Sequence, residues 1–297
     1  NPKKFSGTWT AIITPFTQTE AVDWDAFATL IEDQIIAGVT GILFNGTTGE
    51  SPTIDAEEFV QMITFAKKQI NGRCLLMVGT GTNSTHKSIL LSQQAQSLGA
   101  DVLLLVNPYY NKPTQHGLYL HFKAIADAVQ IPVFLYNIKG RTSINLETST
   151  LQKLVDTVPN IIGVKEASGD LIQIENVCKV MPSDFTVLSG DDNITVRIIR
   201  DFGARGVISV VSNMVPERIV KMVTAALQKD FVAAEEMDRA LQPLFAGAFM
   251  ETNPIPVKAA LSLAGKIKEV YRLPLCSMLP ENKEKWRTIL SQNAVFL

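Results

Sequence analysis

The sequence predicts an α/β chain folded as a (β/α)8 TIM barrel with a C-terminal helical extension. Three observations lead there. Eight short apolar, β-rich runs recur along the 297 residues, the intervals between them carry apolar residues at helical spacing, and polar clusters follow the C-terminal ends of the runs. In order, the runs are Trp9–Ile13, Gly41–Phe44, Leu75–Gly79, Val102–Val106, Val133–Tyr136, Ile161–Val164, Phe185–Leu188 and Val207–Val211. Each is continuous rather than alternating, as suits parallel strands covered outside by helices. Strand-helix alternation repeated this often favours a closed barrel over a doubly wound open sheet, the next reading.

The intervening helices have their own signals. Phe27, Leu30, Ile31, Gln34 and Ile35 share one face, as do Phe59, Met62, Ile63 and Ala66. Asp55 with Glu58 forms a capping-box pattern, and Ser84 or Asn83 can cap a helix that Gly99 stops. After Val211, helical stretches around Glu217–Leu227, Phe231–Phe249, Pro256–Ala264 and Glu281–Leu290 exceed what an eighth unit needs. We therefore divide the chain into a catalytic barrel (1–226) and a C-terminal helical domain (227–297). No low-complexity linker separates them, so the helices are expected to pack on the barrel or on a neighbouring subunit.

Composition narrows the function. Hydrophobic residues at 46% and charged residues at 19% describe an ordinary globular protein with a sizeable core. A net charge of -2 supplies neither a basic footprint for nucleic acid nor a polybasic membrane anchor. Cys74, Cys178 and Cys276 are far apart, odd in number and without C-x-x-C spacing, which reads as free buried thiols. The first residues lack the apolar run of a signal peptide, and no later run is long enough to span a bilayer. A cytoplasmic enzyme or binding protein is expected, although the missing initiator Met leaves room for a removed leader.

The polar clusters would share one rim of a barrel, the face on which active sites of this fold are built. They are Gly46-Thr47-Thr48-Gly49-Glu50, Asn107-Pro108-Tyr109-Tyr110, Tyr136-Asn137, Lys165-Glu166, Ser189-Gly190-Asp191-Asp192 and Ser209 to Asn213. Lys165 ends an apolar strand without a local reason. On its own strand it reads as a stem with its head in solvent or paired with Glu166. Inside a barrel mouth, desolvation would instead lower its pKa and prepare the free amine for attack on a carbonyl. The Gly46–Gly49 turn offers two hydroxyls and backbone N–H groups to a carboxylate or phosphate, or is simply a turn with Thr48 as a local cap. Tyr136 is a phenol needing a buried partner, such as Thr48, or else a core tyrosine. Tyr109 and Tyr110 could make a subunit contact, and Arg141 offers a planar fork for a carboxylate or a surface salt bridge. Asp191 and Asp192 read as caps of the seventh helix. His86, His116 and His121 show no metal-ligand spacing, and neither a Walker loop nor a dinucleotide fingerprint is present.

Four segments in this order, Gly46–Ser51, Tyr109–Pro113, Tyr136–Thr142 and Gly163–Ala167, resemble the dihydrodipicolinate synthase family, also called the 4-hydroxy-tetrahydrodipicolinate synthase family. The resemblance spans nearly the whole chain. It implies a pyruvate-dependent class I aldolase on a (β/α)8 barrel, homotetrameric, without metal or organic cofactor. Lys165 would form an imine with pyruvate, whose enamine adds to the aldehyde of aspartate semialdehyde. Thr47 and Thr48 would hold the pyruvate carboxylate. Thr48, Tyr136 and Tyr110 would relay protons, Tyr110 arriving from a neighbouring subunit, while Arg141 binds the semialdehyde carboxylate. Gly190, Asp191 and the Ile208 carbonyl would line the pocket.

Two positions depart from the family pattern. Lys139 stands where a proline is usual, a loop change that leaves Tyr136 and Arg141 in place. Lys87 stands where lysine-inhibited members carry an acidic residue that grips the effector amine; Ala56 and Phe59 occupy positions often held by histidine, while Asn83 and Tyr109 match. Weak or absent inhibition by L-lysine is therefore expected. The competing readings are an N-acetylneuraminate lyase or keto-deoxy sugar acid aldolase of the same superfamily, and a non-catalytic keto-acid-binding barrel.

Overall fold

The strands alternate what they face. Trp9, Leu43, Met77, Leu104, Phe134, Leu188 and Ile208 form one buried cluster, while their neighbours Ile42, Phe44, Leu76, Val78, Leu103, Leu105, Leu135, Val164, Val187 and Val207 belong to another. Two apolar faces per strand demand two layers, an interior and a surrounding shell of helices. A computed structural model describes residues 4–295 and has this arrangement. Its strands are β1 (Gly7–Ala11), β2 (Gly41–Phe44), β3 (Leu75–Gly79), β4 (Val102–Val106), β5 (Val133–Asn137), β6 (Ile161–Glu166), β7 (Thr186–Ser189) and β8 (Gly206–Ser209). They run parallel in sequence order and close into a barrel, with β1 pairing both β2 and β8.

The outer ring is α1 (Trp24–Ala37), α2 (Ala56–Ile70), α3 (Thr85–Ser97), α4 (Gln115–Asp127), α5 (Lys139–Thr142, a single turn), α6 (Thr148–Thr157), α7 (Leu171–Val180), α8 (Thr195–Phe202) and α9 (Pro216–Leu227). Local chemistry fixes their starts. Asp55 and Glu58 form the reciprocal capping box of α2, and the Ser84 hydroxyl accepts from the Lys87 N–H at the start of α3. The ring closes where α9 packs against β1, β8 and α1. Beyond it, α10 (Phe231–Gly247) lies on α8 and α9, while α12 (Pro280–Gln292) covers α10 and α11 (Ile255–Leu263).

Several strand ends differ from those expected, for one physical reason. Ile12 and Ile13 continue the first apolar run and pack in the outer cluster, Ile12 keeping one backbone bond to the Leu43 carbonyl while the Ile13 N–H goes to the Asn213 side chain; at the other end Gly7 and Thr8 join the ladder by pairing with Gly206 and Val207. Lys165 and Glu166 end the sixth apolar run yet stay in the ladder, opposite Tyr136 and Asn137 on one side and Leu188 and Ser189 on the other. Strand pairing follows backbone hydrogen bonds, which hydropathy does not report. Cys276 also differs: it is exposed, while Cys74 and Cys178 are half-buried with thiol pKa values pushed up, mainly by burial, to about 11 and about 12.

Candidate active site

Residues two apart on a strand face the same side, so Gly163 precedes Lys165 inward on β6 as Phe134 precedes Tyr136 on β5. A Cβ at Gly163 would sit 2.2 Å from the Phe134 ring. Only glycine lets that ring fill the barrel floor beneath the lysine. Phe5 closes the other side edge-on, its ring centroid 5.9 Å from that of Phe134. One layer higher, Tyr136 and Lys165 are direct register partners, and the lysine Nζ lies 4.1 Å from the phenol ring centroid. Lys165 is 6% exposed.

Burial dominates the electrostatics of this pair. Desolvation lowers the Lys165 amine from its ordinary range to about 8; Asp191 and Asp192 oppose that shift, and Arg141 adds to it. Desolvation also raises the Tyr136 phenol, against the pull of Arg141 and of a hydrogen bond with the Thr47 hydroxyl. Asp191 is raised by its own burial and drawn back by Lys165. Among the described residues, no carboxylate lies within ion-pair distance of Lys165. Glu166 is not its partner, because it points to the opposite side of the wall. There Asn137 Nδ2 donates to both carboxylate oxygens at 3.2 Å, and Asn107 Nδ2 donates to Asn137 Oδ1 at 2.9 Å, tying the tops of β4, β5 and β6.

The turn after β2 stands over the amine. It is held by the Gly49 N–H to the Gly46 carbonyl, the Glu50 N–H to the Thr47 carbonyl, and the Thr14 hydroxyl to the Gly49 carbonyl. Thr48, the partner expected for Tyr136, is engaged elsewhere. Thr47, not Thr48, is the threonine that draws on the Tyr136 phenol, and the Thr48 hydroxyl receives Asn253 Nδ2 at 3.0 Å. Arg141, on the one-turn helix α5, forms no surface salt bridge among the described residues; its Nη2 donates to the Asn253 carbonyl at 3.3 Å. Asn253 comes from the segment between α10 and α11 and was not anticipated. Its only sequence signal is the Asn-Pro pair in Thr252-Asn253-Pro254.

A cavity of about 730 Å³ opens above Lys165, within the size range of small-molecule sites. Thr47, Thr48, Tyr136, Arg141 and Asn253 line it beside the lysine, and it continues past Tyr109, Lys87, Ala56 and Phe59. Asn83 lies outside the lining, its carbonyl accepting from Asn111. Gly190, Asp191 and Ile208 are not lining residues either; Ile208 belongs to the barrel interior, and Asp191 acts on Lys165 through its charge. Tyr110 is 91% exposed, adopts φ +74° and stands away from this cavity within a single chain. Neither aspartate caps a helix. Asp192 accepts the N–H groups of Val210 and Val211, bracing the turn after β8, while the Asp191 side chain makes no capping bond.

A buried amine with no ion-pair partner among the described residues, a phenol beside it and a guanidinium thus line one cavity. The model of the dihydrodipicolinate synthetase family matches residues 4–293. This chain belongs to that family. The 4-hydroxy-tetrahydrodipicolinate synthase of Hydrogenobaculum sp. (strain Y04AAS1) is 47% identical over 97% of this chain and 98% of its own length, and that of Endomicrobium trichonymphae is 48% identical over 95% and 96%. The crystal structure of dihydrodipicolinate synthase from Aquifex aeolicus superposes with a TM-score of 0.96 at 43% identity, covering 99% of each chain. Family members carry the same barrel with C-terminal helices, so the fold and the enzyme class, a class I aldolase-type lyase, stand together.

Proposed function

We propose that this chain acts as a 4-hydroxy-tetrahydrodipicolinate synthase, condensing pyruvate with L-aspartate 4-semialdehyde in diaminopimelate and lysine biosynthesis. One observation carries the reading: the Lys165 amine is buried at the cavity floor with, among the described residues, no carboxylate in ion-pair contact, and that burial lowers its pKa to about 8. At pH 7 roughly a tenth of such an amine is uncharged, against about 0.03% for an ordinary lysine.

The chemistry follows from a free amine in a dry pocket. Nζ attacks the keto carbon of pyruvate, and loss of water leaves an imine. Proton loss from the methyl group gives an enamine, whose carbon adds to the semialdehyde carbonyl. The substrate's own amine then attacks the imine carbon, closing the ring and releasing Lys165. We assign the pyruvate carboxylate to Thr47 and Thr48, the semialdehyde carboxylate to Arg141, and proton transfer to Tyr136 and Thr48, with Gly190, Asp191 and the Ile208 carbonyl in support. The covalent imine needs neither metal nor organic cofactor. The exposure of Tyr110 suits a residue that completes a neighbour's site, which supports a homotetramer, a dimer of dimers, in the cytoplasm. No helix among the described residues is long and apolar enough to cross a membrane.

Borohydride reduction in the presence of pyruvate, followed by peptide mass analysis, is expected to mark Lys165, and a reductase-coupled assay should show turnover with the semialdehyde. Absence of the adduct would overturn the imine mechanism. An adduct without semialdehyde turnover, but with pyruvate release from a sialic acid, would assign the chain to the sugar-acid lyases instead. At the cavity's far end, the exposed Lys87 presents a cation where an effector amine would lie. Lysine inhibition is therefore proposed to be weak or absent, and half-inhibition at sub-millimolar L-lysine would refute this.

A further inference from the structure

We infer that Asn253, supplied by the C-terminal segment, is a positioning residue that sets the direction of the Thr48 hydroxyl in the proton path. The inference deepens the function proposed above and rests on it. The Asn253 amide donates to Thr48 Oγ1 at 3.0 Å, and both residues are at least nine-tenths buried. A hydroxyl that accepts from one side keeps its hydrogen and its second lone pair for the other. Among the described residues nothing accepts the Thr48 hydrogen, and Thr48 lines the cavity above Lys165. The donated bond therefore leaves Thr48 free to exchange a proton with the reacting molecules. The same residue steadies a second group, since its backbone carbonyl accepts from Arg141 Nη2.

Asn253 is itself held at a fixed height. Five residues on, in α11, Lys258 is completely buried and its Nζ meets Glu50 Oε2 at 2.6 Å. Glu50 closes the turn that carries Thr47 and Thr48, and it adopts φ +57° there. Lys258 Nζ also lies 4.3 Å from the Phe16 ring centroid and 5.2 Å from that of Tyr271, whose hydroxyl donates to the Ile255 carbonyl. The ion pair thus joins both ends of the Asn253 to Thr48 bond, one through the turn and one through α11. A buried pair of this kind tolerates little sliding, because separation would leave two uncompensated charges.

The test uses the full-length protein in the coupled assay, with thermal melting as a check on folding. Asn253→Ala should lower kcat by about tenfold to a hundredfold. KM for the semialdehyde should stay within about twofold of wild type, because the Arg141 contact is to the backbone and survives. Asn253→Asp, nearly the same shape, should be at least as impaired, since its carboxylate would take the Thr48 hydrogen away from the reaction. In a Thr48→Val background, Asn253→Ala should cost little more, so the double-mutant cycle should be strongly non-additive. Wild-type kcat in Asn253→Ala, full activity in Asn253→Asp, or additive losses in the cycle would each overturn the inference. A wild-type enzyme that forms no pyruvate adduct would instead remove the proposed function on which it rests.

Discussion

Among the described residues two lysines are buried, and they do opposite things. Lys165 and Lys258 are 6% and 0% exposed, each lies over an aromatic ring, and burial lowers the pKa of both. Lys258 meets a carboxylate at 2.6 Å and points into packed protein between α11 and the turn after β2. Lys165 meets none among the described residues and lines a cavity of about 730 Å³. Burial alone therefore does not make a lysine a nucleophile. An ion pair spends the amine on structure, whereas an unpaired amine facing empty space is a reagent that also destabilises its surroundings.

The sharpest way to break this contrast is to remove each amine while keeping its stem. Lys165→Met should reduce turnover by at least about a thousandfold and abolish borohydride trapping, with no loss of melting temperature. Lys258→Met should do the reverse. It leaves Glu50 buried without its partner, and chemical denaturation should show a loss of about 3–5 kcal/mol, most of which a second Glu50→Leu change restores. Catalysis in that variant should fall only as far as the turn holding Thr47 and Thr48 shifts. Equal stability losses in the two single variants would dissolve the distinction.

A smaller effect should appear with pH. Only the uncharged Lys165 attacks pyruvate, so with its pKa lowered to about 8 the trapping rate should fall about tenfold per pH unit as pH drops below 8 and flatten above it. A profile still rising at pH 10 would mean an amine no more desolvated than one in water. Trapping with radiolabelled pyruvate across pH 6 to 10 would decide this.

The sequence made one of these lysines conspicuous and left the other unnoticed, although both interrupt apolar runs, Lys165 after Val164 and Lys258 between Val257 and Ala259. Lys165 gained meaning because the polar clusters after the other strands converge on it once a barrel is assumed. Lys258 lies in a helix whose turns are apolar on every side, with seven of its nine residues buried, a pattern that announces an interior helix but not the partner of its cation. Glu50 is 208 positions away in the chain. The same distance hid Asn253. A threonine pair after a strand suggests an anion site, but which donor holds which hydroxyl depends on a segment that packs back from beyond the barrel. The expected Tyr136 to Thr48 bond is not among the hydrogen bonds of the described residues, where the Thr48 hydroxyl receives Asn253 and Thr47 is the threonine that acts on the phenol.

What the sequence determined by itself is periodic and local: eight parallel strands, their covering helices, the capping box at Asp55 and Glu58, and the gathering of strand-end residues on one rim. Hydrophobic spacing and capping act over a few residues, so they can be read in order along the chain. Only the tertiary structure decided the protonation of Lys165, the exposure of Tyr110, the partner of each threonine and the tie between Lys258 and Glu50. Those depend on desolvation and on hydrogen bonds between residues up to about two hundred positions apart, and neither is written in any short stretch of sequence.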